Sequence, residues 1–158
     1  MDLFLDASDV LHFAIRIEDD GEAFYRKAAA MVGDNEVKGL FLHLADEEIK
    51  HKEFFQGLLN DVGRYRSDIT FTDEYLSYIK GYIDSRVVFT KEVMEDRLPK
   101  AKDRATALEL ACQLELDSIL YYHEIKVFII EREHKTIDMI IEEERRHFNR
   151  LSDMKKGS

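Results

Sequence analysis

Cysteine occurs once in this sequence, at Cys112, and proline once, at Pro99; tryptophan is absent and glycine appears only seven times among 158 residues. A lone cysteine excludes an internal disulfide, a four-cysteine iron or zinc site and a Cys-x-x-Cys redox pair, so any redox chemistry has to use other ligands. With so few backbone interruptions beside abundant Ala, Leu, Glu, Lys and Arg, the composition favours long helices over sheet, and the fold class read here is all-α. Basic residues are outnumbered, 23 Lys and Arg against 33 Asp and Glu, for a formal net charge of -10. That balance argues against a nucleic-acid partner, whose phosphates call for clustered Lys and Arg. Long apolar runs are missing too. The longest unbroken one is Ala28 to Val32, far short of the roughly 20 residues that span a bilayer, so no membrane partner is read. The stretch MDLFLDASDV has neither a basic start nor enough apolar residues for a signal peptide, and a cytoplasmic protein is expected.

What is present is helical periodicity. The length fits a single domain over 1–158, enough to bury about two-thirds of the surface of the unfolded chain. A first helix is expected over about 9–32, with Ser8 as its N-cap and Gly33 closing it, and a second over about 36–62, capped by Asn35 and ended by Gly63. A third, over about 103–130, and a fourth, over about 133–155, form a second hairpin. The crossover between hairpins, about 63–102, is long enough to run back along a bundle. Within it Tyr75, Tyr78, Ile79 and Tyr82 share a helical spacing, and residues 90–92 can open another short helix before Pro99. The tail from Met154 is expected to fray.

Two short stretches, EEIKH at 47–51 and EERRH at 143–147, place a Glu three residues before a His. Their surroundings repeat as well. In LHFAIRIEDDGEAFY (11–25) and LELACQLELDSILYY (108–122), Leu11 matches Leu108, Ala14 Ala111, Glu18 Glu115, Asp20 Asp117 and Tyr25 Tyr122, while Gly21 matches Ser118, both small. The offset is 97 for these helices and 96 for the Glu-x-x-His stretches, so the first hairpin recurs as the second.

Steps of three and four put each Glu on the face that should be buried. Glu18 stands among Leu11, Ala14, Gly21, Tyr25 and Ala28, and Glu115 among Leu108, Ala111, Ser118, Tyr122 and Ile125. Glu48 and His51 stand among Phe41, Leu44, Phe55 and Leu58; Glu144 and His147 stand among Ile137, Ile140, Leu151 and Met154. Glu18 and Glu48 lie 15 positions either side of Gly33, so they come level in an antiparallel pair. The midpoint of Glu115 and Glu144 falls near 130, slightly ahead of the expected turn. Four ionised carboxylates in a dry core are very costly alone. Two divalent cations cancel their charge, and two neutral imidazoles add one nitrogen ligand to each.

This Glu, Glu-x-x-His, Glu, Glu-x-x-His order is the ligand set of ferritin-like di-iron and di-manganese bundles. Over essentially its whole length the sequence resembles the ferritin-like diiron-carboxylate proteins, and most of all their rubrerythrin-like branch. The resemblance implies a four-helix bundle of two similar hairpins joined by a long, partly helical crossover. It also implies Glu18, Glu48, His51, Glu115, Glu144 and His147 as metal ligands and catalytic residues, with Glu48 and Glu144 as bridges. Two Fe ions per chain are expected, with Mn sharing the preference for oxygen ligands. The activity implied is an oxidoreductase in which a diferrous site reacts with oxygen or hydrogen peroxide, as a ferroxidase or peroxidase. The alternatives are an iron-storage protein in an assembled shell, or a structural bundle that carries metal without turnover. A homo-oligomer, dimer or larger, is expected. Rubrerythrins proper carry a four-cysteine rubredoxin domain, and typically an extra Glu one turn after the third-helix ligand, where this chain has Ser118. The electron donor is therefore expected to be external.

Weaker candidates surround this set. By the same resemblance Tyr25 and Tyr122 either hydrogen-bond a ligand carboxylate of another helix or are ordinary core tyrosines. Glu47 and Glu143 either orient a ligand His from a neighbouring helix or, as the commoner case, are surface residues. His12, His43, His123 and His134 are read as surface or boundary residues, and Cys112 as packing.

Overall fold

The computed structural model describes residues 7–61, 71–86, 93–100 and 103–157, and every element in them is helical. Helix α1 spans Ala7–Met31, α2 Asn35–Asp61, α3 Asp73–Arg86, α4 Arg104–Ile125 and α5 His134–Lys156. A π-helical turn, Val93–Arg97, leads into a 3-10 turn, Leu98–Lys100, and two more 3-10 turns, Lys126–Phe128 and Glu131–Glu133, join α4 to α5. Helices α1, α2, α4 and α5 are the four read from periodicity, with α3 inside the crossover. The second helix's expected close at Val62 and Gly63, and the short helix at 90–92, lie outside the described residues.

The ends differ from expectation in ways the contacts explain. Helix α1 is helical from the first described residue, so Ser8 lies within it rather than ahead of it. Asp34, not Asn35, caps α2: its Oδ1 accepts from the backbone N–H of Glu36 at 2.9 Å and of Val37 at 3.0 Å, two donors that the start of a helix leaves without partners. Gly33 lies between α1 and α2 but does not take a positive φ, so the turn does not use glycine's special freedom. Helix α4 stops at Ile125, short of the expected Ile130. Phe128 and Ile129 turn inward, 5% and 6% exposed, and His134 Nε2 lies 2.7 Å from the Ile129 carbonyl. The chain thus reverses close to 130, the midpoint of Glu115 and Glu144.

Each hairpin packs closely on itself, α1 on α2 and α4 on α5, and the hairpins meet along α1 with α4 and α2 with α5. The core divides into two apolar clusters. One gathers Leu11, Ala14, Ile17, Phe55, Tyr122 and Ile137; the other gathers Phe24, Tyr25, Phe41, Leu44, Leu108 and Leu151. The crossover serves both, because Ile79 and Tyr82 of α3 join the first cluster and Leu98 the second. It therefore travels from one end of the bundle to the other. Fully burying a side chain such as Leu or Phe stabilises by about 1.5–3 kcal/mol, so two such clusters can support one costly polar layer between them.

Candidate metal centre

That layer consists of Glu18, Glu48, His51, Glu115, Glu144 and His147, from 1% to 5% exposed, and all six residues singled out by the repeat are in it. Their donor atoms form two groups, Glu18, Glu48, His51 and Glu144 in one, Glu48, Glu115, Glu144 and His147 in the other, with the atoms of each group within 4.8 Å of one another. Glu48 and Glu144 belong to both. The two imidazoles stack, ring centroids 5.9 Å apart and planes 22° from parallel. One Glu-x-x-His turn from each hairpin, on the facing helices α2 and α5, produces this near-twofold arrangement.

Short distances here are not hydrogen bonds. His51 Nδ1 lies 2.7 Å from Glu144 Oε1, yet neither atom has a hydrogen-bond partner of acceptable direction; nor do Glu18 Oε2, Glu144 Oε2 or His147 Nδ1. Buried donor atoms that crowd together in this way without hydrogen-bonding one another are what a ligand set presents. An unpartnered buried polar atom otherwise costs about 1–3 kcal/mol. Oxygen-rich donors with one imidazole per group suit iron or manganese. The residues therefore fit a pair of such ions.

Electrostatics without metal expose the same tension. Burial, then the charges of Glu18 and Glu144, push the Glu48 carboxyl well above the usual range; burial and Glu144 do the same to Glu115. Burial opposes charge on Glu144 as well, but its neighbours Glu115, His147 and His51 favour its ionised form and hold it low. Burial likewise opposes charge on His51, which Glu144 and Glu18 outweigh, pushing it up to about 12; His147 is pushed up to about 10 against its own burial, by Glu115 and Glu144. Cations bound at these atoms would compete with protons for the same charges.

Around the layer, Tyr25 of α1 donates to Glu115 Oε1 of α4, and Tyr122 of α4 donates to Glu18 Oε1 of α1. Each tyrosine hydroxyl thus holds a carboxylate of the opposite hairpin. His51 Nε2 sits 2.6 Å from Glu143 Oε2, so the residue before one Glu-x-x-His orients the histidine of the other. Its counterpart Glu47 pairs with Lys50 at 2.6 Å, and His147 acts on it only through its charge, as a minor influence on its carboxyl. Gly21 is a feature that periodicity left as merely small: a Cβ there would come 3.1 Å from Glu48 Oε2, so glycine makes room for a shared carboxylate. His12, His43 and His123 are exposed and His134 half-buried, none of them in the layer, while Cys112 is buried in the second apolar cluster.

Among the described residues no helix is long and apolar enough to cross a membrane. Residues 9–155 match the family model named Rubrerythrin. A solved structure from Thermotoga maritima, provisionally described as a ferritin-like diiron-carboxylate protein, aligns with a TM-score of 0.70 and 31% sequence identity, over 96% of this chain and 95% of that one. No curated protein matches. A whole-length family match and a ferritin-like neighbour join the buried carboxylate and histidine layer on one conclusion: the chain belongs to the rubrerythrin family.

Proposed function

We propose that the chain holds two iron ions in this layer and acts as a diiron oxidoreductase, of ferroxidase or peroxidase type, with oxygen or hydrogen peroxide as oxidant. The observation that carries the reading is the set of unpartnered ligand atoms in two groups that share Glu48 and Glu144. Glu18 and His51 would hold one ion and Glu115 and His147 the other, with Glu48 and Glu144 bridging. When bound, such a pair cycles between ferrous and ferric and supplies two electrons to the oxidant. The chain's own part is positioning. Tyr122 and Tyr25 fix the terminal carboxylates of opposite hairpins, and Glu143, accepting from His51 Nε2–H, leaves Nδ1 with its lone pair toward the group. Apolar clusters on both sides keep the layer dry, which strengthens each electrostatic contact within it. With Cys112 as its only cysteine, the chain cannot supply a cysteine cluster as electron store, so sustained turnover draws on an external donor.

The test is anaerobic loading with ferrous iron, metal analysis, and mixing with oxygen or peroxide while diferric absorption is followed. Two irons per chain and a rise in absorption with either oxidant are expected. Absence of stoichiometric binding, or loaded protein inert to both oxidants, overturns the proposal.

A further inference from the structure

The layer has two faces that differ. On the α2–α5 side the stacked rings of His51 and His147 close it, with Glu143 outside them. On the opposite side, along the seam between α1 and α4, there is a small cavity. Its inner wall is Glu48, Glu115 and Tyr25, all almost fully buried. Ile17 and Gly21 of α1 face Leu114 and Ser118 of α4 across it, and Leu114 and Ser118 are partly exposed, so the cavity reaches toward solvent between them. The space open to the centre of a water-sized molecule is about 10 Å³, close to the least that holds a single water, so whatever enters has to be only a few atoms in size. The much larger groove beside Glu36, Arg104 and Arg150 touches none of the six layer residues.

We propose that the α1–α4 seam is the port by which a small neutral oxidant, of the size of dioxygen or hydrogen peroxide, reaches the layer, and that Gly21 and Ser118 set its size limit. The proposal rests on the diiron reading above. Three observations carry it. The cavity is walled by Glu48 and Glu115 but not by Glu18, so a molecule in it meets the group that contains His147 first. One of its walls is a glycine, and a Cβ at position 21 would come 3.1 Å from Glu48 Oε2, taking up the space beside that oxygen. Across the seam, the position matching Gly21 in the repeat is again small, Ser118. A bulky organic substrate does not fit, which confines the reactant to a few atoms.

The test loads the whole chain anaerobically with ferrous iron and measures iron first. Two irons per chain in the unaltered protein support the underlying reading; fewer overturn that reading, and the port with it. Nitric oxide, a diatomic probe that binds ferrous iron, is then mixed in a stopped-flow instrument. In Ser118→Leu, compared at equal iron content, nitric oxide should bind slower by about tenfold or more, the barrier expected when a packed side chain has to be displaced. An unchanged rate in the iron-replete variant overturns the port while leaving the diiron reading standing. If Leu at 118 prevents folding or loading, the opposite change decides. Ser118→Gly should speed binding of the bulkier tert-butyl isocyanide relative to nitric oxide, and an unchanged ratio overturns the proposal.

Discussion

Tyr122 and Tyr25 reach across the bundle, and each is the hydroxyl donor to a terminal carboxylate of the other hairpin. A carboxylate that ligates a metal ion is charged, and a hydrogen bond to a charged group contributes about 1.5–3 kcal/mol. Tyr122→Phe should lower the unfolding free energy of the loaded protein by about that amount, read from the urea midpoint at constant slope. A change below about 0.5 kcal/mol, the noise of an ordinary surface substitution, would show that metal alone holds Glu18. The residues before the two Glu-x-x-His stretches make a sharper comparison. Glu143 contacts His51 at 2.6 Å whereas Glu47 pairs with Lys50. Loss of a carboxylate that orients a ligand histidine typically weakens metal binding about 10–100-fold, so Glu143→Ala should do so in a calorimetric titration and Glu47→Ala should not. Equal losses from both variants would mean that Glu47 leaves Lys50 and turns to His147 once metal is bound.

At the scale of elements, the hairpins are tied together at one end through a single aspartate. Asp34 caps α2, and its Oδ2 also pairs with Arg104 at 2.6 Å, while Arg104 donates to the Met154 carbonyl near the end of α5. The start of α2, the start of α4 and the end of α5 therefore share one contact network. Asp34→Asn keeps an oxygen for the cap but removes the charge facing Arg104, so it should lower the melting temperature less than Asp34→Ala. Identical losses would mean that the ion pair, rather than the cap, carries the contribution. The backbone N–H groups of Val37 and Glu36, with Arg104, hold the Asp34 carboxyl below its ordinary pKa. Its contribution is present above the unfolded value and lost as pH falls through the folded one. The four long helices and the buried face of each were legible because apolar residues recur every three or four positions. The helix ends were less so. DN at 34–35 offers two residues that can cap, and only the position of the turn decides between them. From Lys126 to Glu133 there is no glycine or proline to mark a stop. What ends α4 is the burial of Phe128 and Ile129, a tertiary effect that local sequence does not announce.

For the whole molecule, the offset of about one hairpin between matched Glu residues places six side chains in one layer, and this was readable from a single sequence. Which of the two preceding carboxylates would meet a ligand histidine was not, because the spacing that puts Glu47 and Glu143 in equivalent places says nothing of Lys50 drawing one of them away. The layer also sets how stability depends on pH. In the metal-free fold His51 and His147 are raised to about 12 and about 10. A raised histidine contributes stability that is fully present below its unfolded value near 6.5 and is lost as pH climbs through the folded one. Glu48 and Glu115 are raised too, so the metal-free fold also loses stability as pH rises above the ordinary carboxylate range. Glu144 alone is lowered, and its contribution is lost only as pH falls below that range. Between pH 7 and pH 5, therefore, acid favours the metal-free fold at four of these five groups, while the loaded form needs its carboxylates ionised and its imidazoles neutral, so protons compete directly with metal. Metal at about 100 times its dissociation constant stabilises by roughly 2.7 kcal/mol, on the order of 5–10 °C for a chain of this size. The difference in melting temperature between loaded and chelated protein should be of that order at pH 7 and shrink steadily toward pH 5, a comparison in which titration of the acidic surface cancels. No difference at pH 7, or one that widens toward pH 5, would mean that these six residues do not form a buried metal site.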